Sequence, residues 1–136
     1  AGGEVIYVAN NIIPTKEEEL AKVHFDLYRE GYIYYGNTHA HPNSTFRYTM
    51  SSLLELITFD ASTNMDLIDQ PLLMMAGSKA DTYYMTDEAF RKATNTRYRE
   101  LYLIEGATHI QTYYVPEYVE AAVNKLSGFY KDYLWK

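Results

Sequence analysis

The sequence predicts an α/β fold: a parallel strand–helix–strand–helix unit preceded by helices. Pro71-Leu72-Leu73-Met74-Met75-Ala76-Gly77 is an unbroken apolar run closed by glycine, and Glu100-Leu101-Tyr102-Leu103-Ile104-Glu105-Gly106 is a second, shorter one. Such runs read as strands buried on both faces, the usual condition of parallel strands. Between them, Thr86 with Asp87 and Glu88 opens a short helix to about Ala93, and after them a helix runs from about Pro116 to Tyr133. Strand, helix, strand and closing helix imply two adjacent parallel strands joined by a right-handed crossover.

The elements ahead of this unit rest on local signals. Glu4 to Ile13 reads as extended or irregular, with a short alternation at Val5-Ile6-Tyr7-Val8, and Pro14 ends it. Thr15 and Glu18 stand at capping-box spacing. The run Glu17-Glu18-Glu19 suits the positive end of a helix, predicted to continue through about Tyr28 and to stop at Gly31. Tyr32 to Asn43 reads as a polar, aromatic loop. Ser44 is placed to cap a helix from about Thr45 to Phe59, whose Phe46, Met50, Leu53, Leu54 and Ile57 fall at helical spacing. Asp60 to Gln70 reads as a polar connection anchored by Leu67 and Ile68. The closing helix carries Pro116 in its first turn and an apolar stripe of Val119, Ala122, Val123, Leu126, Phe129, Tyr130 and Tyr133.

Composition narrows the function classes. The chain has 136 residues, 47% of them hydrophobic and 22% charged, a globular balance in which a core needs neither metal nor disulfide. It has no cysteine, which excludes disulfides, thiolate metal sites and a cysteine nucleophile, and which fits a reducing, cytoplasmic setting. The net charge of -6 with scattered Lys and Arg argues against nucleic acid as a partner. No apolar run approaches the roughly 20 residues of a membrane span, and Ala1-Gly2-Gly3-Glu4 has neither the basic nor the apolar region of a secretory signal. The 15 tyrosines fit a half-wetted core edge, a pocket lining or a protein interface.

Functional groups of parallel α/β sheets gather beyond the carboxyl ends of the strands. The first strand leads into Gly77-Ser78-Lys79-Ala80-Asp81 and the second into Gly106-Ala107-Thr108-His109. Each residue alone has a plain reading: Asp81 caps the following turn, and His109 is a hydrogen-bonded loop histidine. Together, an acid and a histidine at one sheet edge can form the base half of a triad. The carboxylate then fixes the tautomer and steadies the imidazolium formed when the ring takes a proton from a nucleophile. Acid before histidine, with serine expected ahead of both, is one of the known triad orders. His39-x-His41 places two imidazoles on one side of an extended segment, with Asp26 and Glu30 as further conceivable ligands, short of the ligand set zinc requires. No metal and no cofactor is therefore expected. The pairs Tyr83-Tyr84-Met85 and Tyr113-Tyr114 come soon after the acid and histidine, either to line a pocket or to pack the loops.

Three segments carry a family resemblance. Pro71-Leu-Leu-Met-Met-Ala-Gly-Ser-Lys-Ala-Asp81-Thr resembles the acid-bearing strand and turn of dienelactone-hydrolase-like α/β-hydrolases. Gly106-Ala-Thr-His109-Ile, with Pro116-Glu-Tyr-Val after it, resembles their histidine loop and closing helix. His41-Pro42-Asn43-Ser44-Thr45 and the helix predicted from Thr45 resemble the segment before the acid strand. The resemblance spans about Tyr32 to Leu134. It implies the C-terminal part of an α/β-hydrolase fold: one partial domain over 1–136, with 1–70 mostly helix and loop and 71–136 the βαβα unit. It also implies hydrolysis of esters or related acyl bonds, with Asp81 as acid and His109 as general base.

The Gly-x-Ser-x-Gly elbow of that family is absent. Ser44, Ser51, Ser52, Ser62, Ser78 and Ser127 all lack the elbow sequence. The oxyanion donors belong partly to the same missing region. The chain alone is thus expected to be inactive, and to be either one piece of a serine hydrolase or a non-catalytic association module on the same fold. Its expected partners are the missing half or a second copy joined through the sheet edge or by exchanged elements. Asp81 and His109 are expected to hydrogen-bond each other.

Overall fold

A computed structural model describes residues 3–8, 16–43 and 48–134. Its best-formed part is the predicted unit. Strand β3 (Leu72–Gly77) runs parallel to β4 (Arg99–Ile104), in register from Leu72 opposite Arg99 to Gly77 opposite Ile104. Helix α4 (Tyr83–Lys92) crosses between them. After β4 come the one-turn α5 (Gln111–Tyr114) and then α6 (Pro116–Tyr133), which closes the unit with Pro116 at its first turn. Helix α4 begins three residues ahead of the predicted Thr86, directly behind the Asp81-Thr82 turn.

The first half departs from its sequence pattern. The helix predicted from the Thr15 box through Tyr28 is two helices, α1 (Glu17–Leu20) and α2 (Asp26–Ile33), separated by residues 21–25, of which Phe25 is extended. Thr15 lies outside the described residues, and Lys16 heads α1 without a side-chain cap bond. Gly31 does not stop the helix: it is buried inside α2, against Ile110. The predicted loop from Tyr32 starts as the end of α2 and continues as a π-helical turn, Tyr34–Thr38.

The helix predicted over 45–59 forms only as α3 (Leu53–Thr58), behind a 3-10 turn at Met50–Ser52. Tyr48–Thr49 is instead strand β2, antiparallel to β1 (Tyr7–Val8). The Thr49 hydroxyl bonds those of Ser51 and Ser52, and Ser52 donates to the Thr49 carbonyl. Side chains that bond nearby backbone this way compete with helix formation. Ser44 and the start of that prediction lie outside the described residues. Leu54, Ile57 and Phe59 are 72%, 72% and 76% exposed, so among the described residues nothing covers this part of the apolar face, while Leu53 is half-buried. Of the expected anchor at Leu67-Ile68, Leu67 is exposed and Ile68 half-buried.

The core is thin. Among the described residues the buried hydrophobic ones are Ala80, Ala93, Ile104, Ala107 and Ile110; all but Ala93, at the end of α4, sit at the carboxyl edge of the sheet or in the loops that leave it. A folded monomer of 15.8 kDa exposes about 7,300 Å² by size scaling, whereas this chain exposes 10128 Å². Among the described residues, no other strand pairs with β3 or β4, so each has an open edge.

Candidate functional site

The loops after β3 and β4 are knitted together by backbone. Ser78 N donates to the Ile104 carbonyl at 3.0 Å and Lys79 N to the Ala107 carbonyl at 2.9 Å, while Ser78 Oγ accepts from Gly106 N at 2.8 Å. Gly106 has φ 80°, the left-handed region in which a side chain is strained. This close knit brings the Asp81-Thr82 turn beside the His109 loop.

Helix α2 is tied to both loops. Asp81 Oδ2 accepts from Leu27 N at 3.0 Å, an acid from a distant loop satisfying a free donor at the helix N-terminus, where the dipole also favours negative charge. Thr108 Oγ1 donates to Glu30 Oε2 at 2.5 Å, one turn further along α2. Asp81 Oδ1 is shut off from solvent and has no hydrogen-bond partner among the described residues. A buried acceptor left this way requires an explanation.

His109 is half-buried and engaged at both nitrogens. Its Nδ1 lies 2.7 Å from the buried Thr82 hydroxyl, and its Nε2 lies 2.6 Å from the Tyr113 hydroxyl, four residues on. The expected bond between Asp81 and His109 is therefore not formed. Thr82, one residue beyond the acid, holds Nδ1, while Asp81 turns to the N-terminus of α2. If the Tyr113 phenol donates to Nε2, the ring proton sits on Nδ1 and points to Thr82 Oγ1, the tautomer a general base requires. Sequence reasoning missed Thr82; its place directly after Asp81 and before a helix was the available signal.

The imidazole faces a cleft of about 410 Å³ at the end of β3, lined among others by Met75, Gly77, Thr82, Met85 and Tyr113. Of the tyrosine pairs, Tyr113 lines the cleft, whereas Tyr114 packs on Tyr34 and His39, with ring centroids 5.4 and 4.9 Å away. Tyr34 also stacks on His39 at 4.2 Å. Both tyrosine roles foreseen for this stretch thus occur side by side. The His39, His41, Asp26 and Glu30 set does not converge: His39 meets Thr38, His41 accepts from Asn43 N, Asp26 pairs with Arg29 and Glu30 holds Thr108. Among the described residues no three His, Asp or Glu side chains form a metal-holding cluster.

Burial, and after it the neighbouring Tyr35 and Tyr34 hydroxyls, push the Tyr113 phenol above its ordinary range. The fold thus favours the neutral phenol. Its contribution is complete below the unfolded value of about 10 and is lost as pH rises through the higher folded value. In an alkaline titration monitored by tyrosine absorbance, Tyr113 is expected to ionise above the ordinary tyrosine range, and Tyr113→Phe to remove its share of the late component, leaving that of Tyr133, which is also pushed up. An unchanged titration in the variant would contradict this.

No family model matches the chain. It is similar to "Uncharacterized protein YcjY" of Escherichia coli (strain K12), 28% identical over 130 residues. That match covers 94% of this chain and 41% of the relative, so the chain spans well under half the length of that protein. Among the described residues no helix is long and apolar enough to cross a membrane.

Proposed function

We propose that this chain is the acid-and-base portion of a serine hydrolase of the dienelactone-hydrolase-like α/β type, acting on esters or related acyl bonds. Asp81 is the carboxylate, His109 the general base, and the nucleophilic serine and oxyanion donors are supplied from outside the chain. The observation that carries this reading is a cleft-facing histidine held at Nδ1 by Thr82, the residue next to a carboxylate with one occluded, unused oxygen. A serine hydroxyl arriving in the cleft takes the position now held by the Tyr113 hydroxyl at Nε2. His109 accepts its proton as the oxygen attacks the acyl carbon, the alcohol leaves with that proton, and water repeats the sequence to free the acid. During proton uptake the unused Asp81 oxygen is available to the Nδ1–H, if the ring lets go of Thr82.

The isolated chain is expected to show no turnover of chromogenic short-chain esters, since the serine and the oxyanion donors each matter by orders of magnitude. Co-expression with the part of the E. coli relative that this chain does not match supplies a candidate other half. Appearance of turnover that depends on both polypeptides supports the reading. Turnover by the chain alone, abolished by His109→Ala, would reveal a different nucleophile.

A second reading, a non-catalytic association module, is favoured by the exposed area, roughly 2,800 Å² above the compact expectation. The open edge of β3 at Leu72–Met75 has no charge and no internal proline to resist pairing. A second copy joined through that edge, or by exchanged helices, would bury more than about 1,000 Å². Light scattering of the chain at micromolar concentration is expected to give a mass above that of one chain. A sharp monomer mass with cooperative unfolding would refute association.

A further inference from the structure

We propose that the recess between α2 and the His109 loop is a binding site for a neutral, phenyl-sized ring. Resting on the hydrolase reading, it would select esters that carry such a ring. The recess has a volume of about 200 Å³ and is lined by Leu27, Gly31, Ile110 and the tyrosines Tyr28, Tyr32, Tyr35 and Tyr113. An enclosed apolar cavity of about 150 Å³ lined by Leu, Ile and Phe accepts benzene, so this half-open, tyrosine-rich recess has the volume for a ring and one or two further atoms. None of its lining residues is charged. A carboxylate entering it would lose water without gaining a counter-charge, so the occupant is neutral.

Gly31 strengthens the assignment. It sits inside α2, where glycine weakens a helix relative to alanine. No left-handed backbone explains it, and an added Cβ would meet only Ile110 Cδ1, at an ordinary 3.7 Å. What glycine does provide there is empty space. Tyr113 joins the recess to the cleft: it lines both, and its hydroxyl stands 2.6 Å from His109 Nε2. A ring seated beside Tyr113 therefore has its substituent at the mouth of the catalytic cleft. Aromatic walls favour a ring over an alkyl chain of equal size through edge and offset contacts.

The test uses the full chain and needs no turnover, so it can fail or succeed independently of the hydrolase reading. Benzyl alcohol is titrated into labelled protein and monitored by NMR, with 1-pentanol and benzoate as comparisons. Saturable shifts at Gly31 and Ile110 are expected with benzyl alcohol, at least tenfold weaker with either comparison. Gly31→Leu, which plugs the recess, should abolish them, and Gly31→Ala should retain them. Intermolecular NOEs from the benzyl ring to the Leu27 and Ile110 methyls in the unmodified protein keep the test valid if Gly31→Leu fails to fold. Absence of those NOEs, benzoate binding as well as benzyl alcohol, or unchanged binding in a folded Gly31→Leu variant would overturn the proposal.

Discussion

Gly77→Ala is expected to abolish the cooperative folding of the sheet unit. A Cβ on Gly77 would lie 2.2 Å from the Ala107 oxygen, 2.8 Å from its carbonyl carbon and 3.0 Å from the Thr108 oxygen. All three are backbone atoms, and the first is already fixed by the Lys79 amide at 2.9 Å. No side chain can turn aside to relieve the overlap. The end of β3 must separate from the loop after β4, disturbing the Ser78 and Lys79 bonds and the buried Ala107 beneath them. Overpacking in a well-filled site costs about 1–3 kcal/mol, and overlap with fixed backbone belongs at or above the top of that range. A chain with so few buried residues has little stability to lose. Urea unfolding monitored by circular dichroism is the measurement, and an unchanged midpoint would show that the two loops move apart more freely than their bonding implies.

If the proposed two-part hydrolase is reconstituted, His109→Ala is expected to lower kcat about 10⁶-fold with a small effect on KM, as for loss of the triad histidine in serine hydrolases. Asp81→Asn should lower it about 10⁴-fold. The amide oxygen of an asparagine can still accept from Leu27 N–H, so the anchor of α2 survives while the charge that steadies the imidazolium is gone. Thr82→Val tests the alternative that threonine alone orients the ring. If valine costs as much as asparagine at Asp81, the carboxylate serves α2 and not His109. Steady-state kinetics on a chromogenic ester decides among these, and retention of activity within tenfold in His109→Ala would end the triad assignment.

The sheet unit was legible because its signals are local. Two glycine-closed apolar runs, a proline at a helix start and one stripe along α6 need no knowledge of distant residues. The first half was not, because distant contacts decide its elements. The N-terminus of α2 is satisfied by Asp81, 54 positions away, and nothing near Phe25 announces that. Gly31 resembles a helix stop until Ile110 is seen against it. Of the helical spacing predicted from Phe46 to Ile57, the described part leaves Met50, Leu54 and Ile57 exposed, and periodicity without a surface to pack on gives only α3 there. At the site, the sequence placed Asp81 and His109 at one edge but left the direction of each side chain open. One residue separates a carboxylate from a hydroxyl at Nδ1, a difference finer than strand-end reasoning resolves.

The excess of exposed surface also shapes how the chain responds to heat and denaturant. The slope of stability against urea and the heat-capacity change of unfolding both scale with the area uncovered on unfolding. A chain that leaves 10128 Å² in water when folded has less left to uncover. Its stability curve is correspondingly flat, and it passes from folded to unfolded over a wide span of temperature or urea. A covering polypeptide changes the shape of that curve as well as its height. The newly dried surface joins the area that must be wetted on unfolding, so the transition sharpens as the complex forms.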